Sequence, residues 1–566
     1  MMQWNLKEKP DKATVQQLAT ALGIPEAVAI LLVQRGITSF EEAKDFYRPS
    51  LEALHDPFLM QDMQAAVARI ERAIAEEELI MVYGDYDVDG TCSVALMASY
   101  LLQRYPRVTT YIPDRYAEGY GVSLQGIDFA HDNGVGLIIA LDCGVKAIDQ
   151  VDYAAKKGID FIICDHHLPG DALPNAVAVL DPKRSDCQYP YKELCGCGVG
   201  FKLIQALGQN RGEQLQDLLP YLDLVATAIA ADIVPMTGEN RVLAAYGLQV
   251  VNENPRPGIQ ALLGQRDKET YDISDLVFVV APRINAAGRM KHGDYAVALL
   301  MADAVDSCLA FAQEIEAFNA SRRATDEQIT AEALAKILDE QEEDRSTTVV
   351  YEPHWHKGVI GIVASRLIEQ YYRPTLVITK SGEVLAGSAR SVSGFDVYEA
   401  LAACKDHMIQ FGGHKYAAGF TLEEAEYENF KAAFEKVVGQ TLDDSLKIPQ
   451  ISVDLEISFA DITPKFYRLI KQFAPFGPGN RTPVFATRNL TDSGWAKPVG
   501  SDGSHLKFKA TDGQFAFDAI GFGLGKKIDL IKEKTPFDLV YSLDENHWNG
   551  RVSLQLRAKD LKKAES

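Results

Sequence analysis

Residues 84–91 read GDYDVDGT, with Asp85, Asp87 and Asp89 alternating ahead of a glycine. Three carboxylates so close repel one another, and a cation is their natural partner. An EF-hand calcium loop opens with the same D-x-D-x-D-G spacing, but it needs a helix in front and a bidentate Glu at its twelfth position. The twelfth position from Asp85 is Leu96, and the preceding Leu79-Ile80-Met81-Val82-Tyr83 is a short β-branched and aromatic run that suits a buried strand. The stretch is therefore a strand, an acidic turn and a helix.

Further apolar runs follow at 108–112, 136–141, 160–164 and 176–180, with helical patterns such as 91–105 and 147–158 between them. Near-continuous apolar strands spaced by helices predict a parallel sheet covered on both faces. Polar residues fall at the ends of these strands: Asp87 and Asp89 after the first, Asp142 after 136–141, and Asp165-His166-His167 after 160–164. Open α/β sheets bind ligands at the carboxyl ends of their strands, so these groups can converge there. Asp232, after an apolar helical run, is a candidate fourth carboxylate. One Asp behind a strand is most often a cap or turn residue, but three such groups on three strand ends exceed what capping needs. Carboxylates with imidazole and no cysteine suit Mn²⁺, Mg²⁺ or Zn²⁺. Five or six ligands exceed one ion's need and fit a bridged pair, the arrangement that serves phosphate ester hydrolysis.

The rest of the sequence bounds this reading. The 566 residues call for about three or four domains, and the net charge of −22 disfavours nucleic-acid binding unless charge is segregated. No apolar run reaches membrane-spanning length, the N-terminal MMQWNLKEKPD lacks a signal peptide's apolar segment, and eight cysteines form no disulfide framework. Reduced thiols and a cytoplasmic location are expected. The pattern divides the chain into an N-terminal helical extension (1–50), an α/β domain (51–300), a linker helix (301–345) with Leu309, Ala312, Ile315, Phe318, Ile329, Ala333 and Ile337 on helical spacing, a second α/β domain (346–445), and a small β-barrel (446–566). Residues 491–566 hold 12 Lys and Arg against 11 Asp and Glu, near neutral in an acidic chain. There Trp495, Lys497, Lys507, Phe508 and Lys509 interleave basic and aromatic residues, as single-strand binding requires, although alternate aromatics also fill barrel cores.

DHH at 165–167, DYDVDG at 85–90 and Asp142 between them resemble the DHH phosphoesterase superfamily. GSAR (387–390) and FGGHKYAAGF (411–420) resemble its associated DHHA1-like domain. The linker, the NASRRA segment at 319–324 and the terminal barrel, an OB-like fold, are similar to the RecJ family of single-strand-specific 5′→3′ exonucleases. The resemblance covers the chain from about residue 50. It implies metal-dependent hydrolysis of single-stranded DNA to 5′-mononucleotides in recombination and repair. It makes Asp87, Asp89, Asp142, His166 and Asp232 the ligands of two divalent ions, Mn²⁺ or Mg²⁺, and sets His167 on the scissile phosphate. Some relatives carry a ligating His four residues before Asp87; this chain has Tyr83, a poor ligand, so Asp85 or water takes that place. Arg115, Arg283, Arg289, Ser388, Arg390, Gly412, Gly413 and His414 are the candidates for holding a 5′-phosphate. A single-strand-binding protein and a recombination helicase are implied as partners, and a monomer is expected. A DHH oligoribonuclease or small-nucleotide phosphodiesterase is the main alternative, and usually lacks the barrel. An inactive replication scaffold would have broken metal motifs, and an inorganic pyrophosphatase would need neither linker nor barrel.

Overall fold

The computed structural model describes residues 2–264, 268–548 and 551–564. The chain forms two compact units, one of Leu54–Val234 with Gly238–Pro449 and one of Met1–Ala53 with Pro235–Thr237 and Gln450–Ser566.

The larger unit contains a five-stranded parallel sheet: β1 (Leu79–Gly84), β2 (Val108–Tyr111), β3 (Val135–Leu141), β4 (Asp160–Cys164) and β5 (Ala178–Leu180), in the order β2-β1-β3-β4-β5. The chain leaves β1 toward β2 on one side and returns to β3 on the other, which makes the β1/β3 edge a topological switch point. The register aligns the strand ends. Gly84 lies opposite Leu141, Leu141 opposite Cys164, and Cys164 opposite Leu180. Asp85, Asp142, Asp165 and Asp181 therefore all begin at one level. Helix α1 (Val88–Leu102) leaves the acidic turn and packs against α2 (Gly196–Asn210) and α3 (Leu222–Asp232). It is apolar nearly all round because it is covered nearly all round.

Helix α4 (Ala281–Met290) leads to the 35-residue α5 (Val305–Asp339). The buried stripe of α5 runs Cys308, Ala312, Ile315, Asn319, Asp326, Ile329, Ala333, Ile337. Leu309, expected on that stripe, is half exposed, since the packed face begins one residue earlier at Cys308. Beyond α5 a mixed sheet comprises β6 (Thr348–Tyr351), β7 (Thr375–Ser381), β8 (Val384–Arg390), β9 (Gln410–His414) and β10 (Ala417–Leu422), in the order β9-β10-β8-β7-β6.

The second unit is a β-barrel. Strands Phe485–Asp492, Phe537–Trp548, Arg551–Lys563, Ala516–Gly521 and His505–Thr511 pair in sequence, and the last pairs back to the first. Residues 1–50, expected as a separate helical extension, belong to this unit. Gln3–Leu6 forms a parallel strand with Gln450–Val453, and Val15, Leu18, Val28 and Leu32 share a core with Phe466, Phe473 and Phe485. That pairing spans more than four hundred residues, beyond the reach of local sequence pattern. Among the described residues no single helix is long and apolar enough to cross a membrane, and all eight cysteines are free and buried.

Candidate metal centre and phosphate pocket

The acidic turn is shaped by its glycines. Asp87 caps α1, its Oδ1 accepting from the Gly90 amide at 3.0 Å. A Cβ on Gly90 would lie 2.3 Å from the Asp85 carbonyl oxygen, so only glycine lets the turn close. Asp89, fully buried, accepts from the Gly196 and Cys197 amides at 2.6 and 2.7 Å, at the positive end of α2. Asp142 has φ +59°, a left-handed conformation that costs a non-glycine residue energy and recurs at functional sites. Gly196 backs it so closely that a Cβ there would fall 2.5 Å from the Asp142 Cβ.

These residues converge. His166 Nε2 lies 3.2 Å from Asp142 Oδ1, 3.6 Å from Asp232 Oδ2 and 3.9 Å from Asp89 Oδ2. Ligand atoms of Asp89, His166 and Asp232 fall within 4.8 Å of one another, as do those of Asp85, Asp87 and Asp142, and those of Asp142, His166 and His167. Asp142 therefore stands between two sets. Asp85 Oδ1, Asp142 Oδ1, Asp232 Oδ2 and His166 Nε2 are buried, and none has a hydrogen-bond partner among the described residues. Burial, reinforced by Asp87, pushes the Asp85 carboxyl up to about 8 and that of Asp89 to about 7. Burial and Asp89 push Asp232 to about 8 and raise Asp142 far above the ordinary range. Burial, with His167 beside it, holds His166 down to about 3, a neutral imidazole. Orphaned oxygens with this much unrelieved repulsion, around an unprotonated nitrogen, form the donor set of divalent cations. Tyr83 lies outside it. Its hydroxyl donates to the Gly121 carbonyl and accepts from the Ser123 amide beneath the sheet end, and Asp85 is the residue that stands beside Asp87 and Asp142.

Asp165 has a different task. It accepts from the Val145 and His166 amides and from His167 Nδ1 at 2.7 Å. Burial pushes its carboxyl up, but the His167 bond and charge and the Val145 amide outweigh burial and hold it at about 2. The His167 ring is thus fixed by Asp165, and its Nε2 lies 3.2 Å from the Tyr120 hydroxyl.

Asp85, Asp87, Asp89 and Asp232 form one wall of an open cavity of about 580 Å³. Arg115, Arg289, Ser388 and Arg390 line the other, with Tyr86, Tyr120, Asn285 and Gly413. The Arg115 guanidinium stacks 4.0 Å over the Tyr86 ring. Arg289 donates to the Gly358 carbonyl at 2.8 Å, and burial together with Arg115 and Arg390 lowers it to about 10. Arg390 donates to the Ala389 carbonyl and Ser388 Oγ. None of these three arginines pairs with a carboxylate among the described residues. Crowded cations without counterions are complementary to phosphate. Two candidates stand apart. Arg283 is engaged by Glu316 of α5 at 2.7 Å, and Gly412 and His414 are exposed on β9, with only Gly413 of that trio on the cavity wall.

On the barrel, Phe508 is 2% exposed and belongs to the core, so it cannot stack on a base. The alternation of strand His505–Thr511 sends Phe508 inward and Lys507 outward, opposite Lys497, with Lys509 partly covered. Trp495 is 71% exposed. Sequence reasoning missed Phe522, which is exposed and packs against His505 and Arg557. In the cavity it missed Tyr86, Tyr120, Asn285 and the α2 amides. Only the close-set Gly196 and Gly198, and the glycines flanking Tyr120, could have signalled them.

Comparison with known proteins agrees with this arrangement. Residues 79–229 match the model of the DHH family N-terminal domain, 344–440 the DHHA1 domain and 453–560 the RecJ OB domain. The chain is 36% identical to the single-stranded-DNA-specific exonuclease RecJ of Bacillus subtilis, over 99% of this chain and 70% of that protein. It is 33% identical to the Escherichia coli protein of the same description, over 94% and 95%. Crystal structures of Thermus thermophilus RecJ in complex with Mn²⁺ and with Mg²⁺ superpose with TM-scores of 0.86 and 0.80, at 27% and 26% identity, covering all of this chain and 80% and 79% of theirs. Sequence identity across nearly the whole chain, three domain matches in the same order and the shared fold lead to one conclusion: the chain belongs to the RecJ family of single-stranded-DNA-specific exonucleases.

Proposed function

We propose that this chain hydrolyses single-stranded DNA from its 5′ end, releasing 5′-mononucleotides, with two divalent cations, Mn²⁺ or Mg²⁺. The observation that carries this reading is the placing, across one cavity, of clustered acids that could hold a metal ion opposite arginines that pair with no carboxylate among the described residues. Asp87, Asp89, Asp142, His166 and Asp232 would hold the ions, with Asp85 beside Asp87. Such ions supply Lewis acidity and a lowered pKa for water.

The remaining roles belong to the protein itself. Asp142, between the two ligand sets, is the residue suited to bridge them. Arg115, Arg289 and Arg390, with Ser388, hold the terminal phosphate and thereby fix which phosphodiester reaches the acids. Asp165 orients the His167 ring, and Nε2 of His167 contacts an oxygen of the scissile phosphate. Trp495, Lys497 and Lys507 offer the barrel's stacking and backbone contacts for a single strand. We take the chain to act as a monomer. Family membership supports a cytoplasmic role in recombination and repair, beside a single-strand-binding protein and a helicase.

A 3′-labelled single strand and its blunt duplex, each with Mn²⁺, provide the test. The expected result is loss of mononucleotides from the 5′ end of the single strand alone. Inertness toward single strands with either cation, or cleavage confined to dinucleotides, would overturn the reading.

A further inference from the structure

We infer that Tyr120 is a positioning residue whose hydroxyl holds His167 Nε2 in the free protein and surrenders that nitrogen to the scissile phosphate. This rests on the exonuclease reading above. An imidazole has two ring nitrogens, each with room for one in-plane partner. Nδ1 of His167 lies 2.7 Å from Asp165 Oδ1 and is committed there. Nε2 alone remains, and the Tyr120 hydroxyl occupies it at 3.2 Å. A phosphate oxygen can meet His167 only at that nitrogen, so strand and tyrosine exclude one another.

Tyr120 is built to yield. It is 59% exposed, and its ring meets Tyr86 and His167 only edge-on, at centroid distances of 6.2 and 6.1 Å. Gly119 and Gly121 flank it with φ of +87° and +81°, and a Cβ on either would meet nothing within 4 Å. The Gly121 carbonyl accepts from the buried Tyr83 hydroxyl at 2.9 Å, so the backbone is held there and the freedom lies in rotation of the exposed Tyr120 side chain. Its neighbours on the same loop are fastened: Arg115 stacks on Tyr86, and the Tyr116 hydroxyl donates to the Arg289 carbonyl at 2.5 Å. A swing at Tyr120 would leave the phosphate-binding arginines where they are. The Asp165 bond on Nδ1 holds the His167 ring while the partner on Nε2 changes, so the exchange needs no reorientation of the imidazole.

A neutral hydrogen bond of this kind weighs about two- to tenfold in an equilibrium. Tyr120→Phe removes the competitor and keeps the ring. The expected result is a two- to tenfold rise in kcat/KM on 5′-phosphorylated single strands, expressed through KM and not kcat. The second arm uses His167→Ala, in which the contested nitrogen is gone. Adding Tyr120→Phe to it should leave the strand's Kd, read by fluorescence anisotropy with Mn²⁺ present, unchanged. An unchanged or raised KM in Tyr120→Phe overturns the inference. So does a fall in kcat, or the same gain in affinity without His167. A wild-type protein inert toward single strands overturns the exonuclease reading instead, so the two failures are distinct.

Discussion

Arg289 donates to the Gly358 carbonyl at 2.8 Å, while the Tyr116 hydroxyl donates to the Arg289 carbonyl. The arginine at the centre of the phosphate pocket is thus held from both sides, and Gly358 leaves no space for a side chain, since a Cβ there would fall 2.1 Å from the Tyr116 oxygen. Arg390 comes to the same cavity from β8 of the other sheet. The pocket exists only where the two α/β parts of the larger unit meet. Arg390→Ala should raise KM for 5′-phosphorylated strands by about ten- to a hundredfold, the scale of a charge-assisted contact, and have a smaller effect on 5′-hydroxyl strands. Bound Mn²⁺ should be unchanged. Equal losses on both kinds of end would count against a terminal-phosphate pocket.

Asp142→Ala removes the carboxylate that stands between the two ligand sets. Its kcat should fall on the order of a thousandfold or more, with a matching loss of bound Mn²⁺ measured by elemental analysis. Gly196→Ala leaves every ligand in place but puts a Cβ 2.5 Å from that of Asp142. It should reproduce much of the same defect. Full activity in Asp142→Ala would remove Asp142 from the bridging role.

The crowded acids also predict a pH dependence. Asp232 holds its proton to about 8 in the folded protein, against an ordinary value of 3.8. For an acid raised on folding, the stability it contributes is fully present below 3.8 and lost as pH rises toward 8. Asp232→Asn escapes that loss. In EDTA the variant's Tm should exceed the wild type's by a margin that widens from pH 4 to pH 8. With Mn²⁺ present the order should reverse, because the wild type binds the ion more tightly. Parallel melting curves across that range in EDTA would show that Asp232 is not strained by its neighbours.

On the barrel, two aromatics close in sequence should behave oppositely. Phe508→Ala empties a core position and should cost about 3–5 kcal/mol of stability. Trp495→Ala should leave stability within about 0.5 kcal/mol and weaken single-strand binding by about 1–3 kcal/mol per base stacked. Equal affinity in Trp495→Ala and wild type would move the strand path elsewhere on the barrel.

Much of the centre was legible in the sequence because it obeys a local rule. Each of Asp85, Asp142 and Asp165 follows a run of buried strand, and parallel strands in register bring their ends to one level. Asp87 caps the helix that follows and Asp89 lies in its first turn, and Asp232 ends an apolar helix. Periodicity and strand length alone therefore gathered the ligand candidates. Arg115, Arg289 and Arg390 were candidates only as arginines suited to a 5′-phosphate, and the sequence could not separate them from Arg283, because only packing showed that Glu316 holds that guanidinium.

What the sequence determined by itself was the alternation of strand and helix, the acids at the strand ends and the order of the domains, all set by short-range hydrophobic pattern and turn chemistry. Tertiary structure decided which atoms were left without partners. The strand pairing of residues 3–6 with 450–453, the inward turn of Phe508, the α2 amides on Asp89 and the Tyr120 hydroxyl on His167 each join residues far apart in the chain or on faces that periodicity leaves ambiguous. Burial and hydrogen bonding are settled only when those segments pack, and they govern how strongly the acids need a cation.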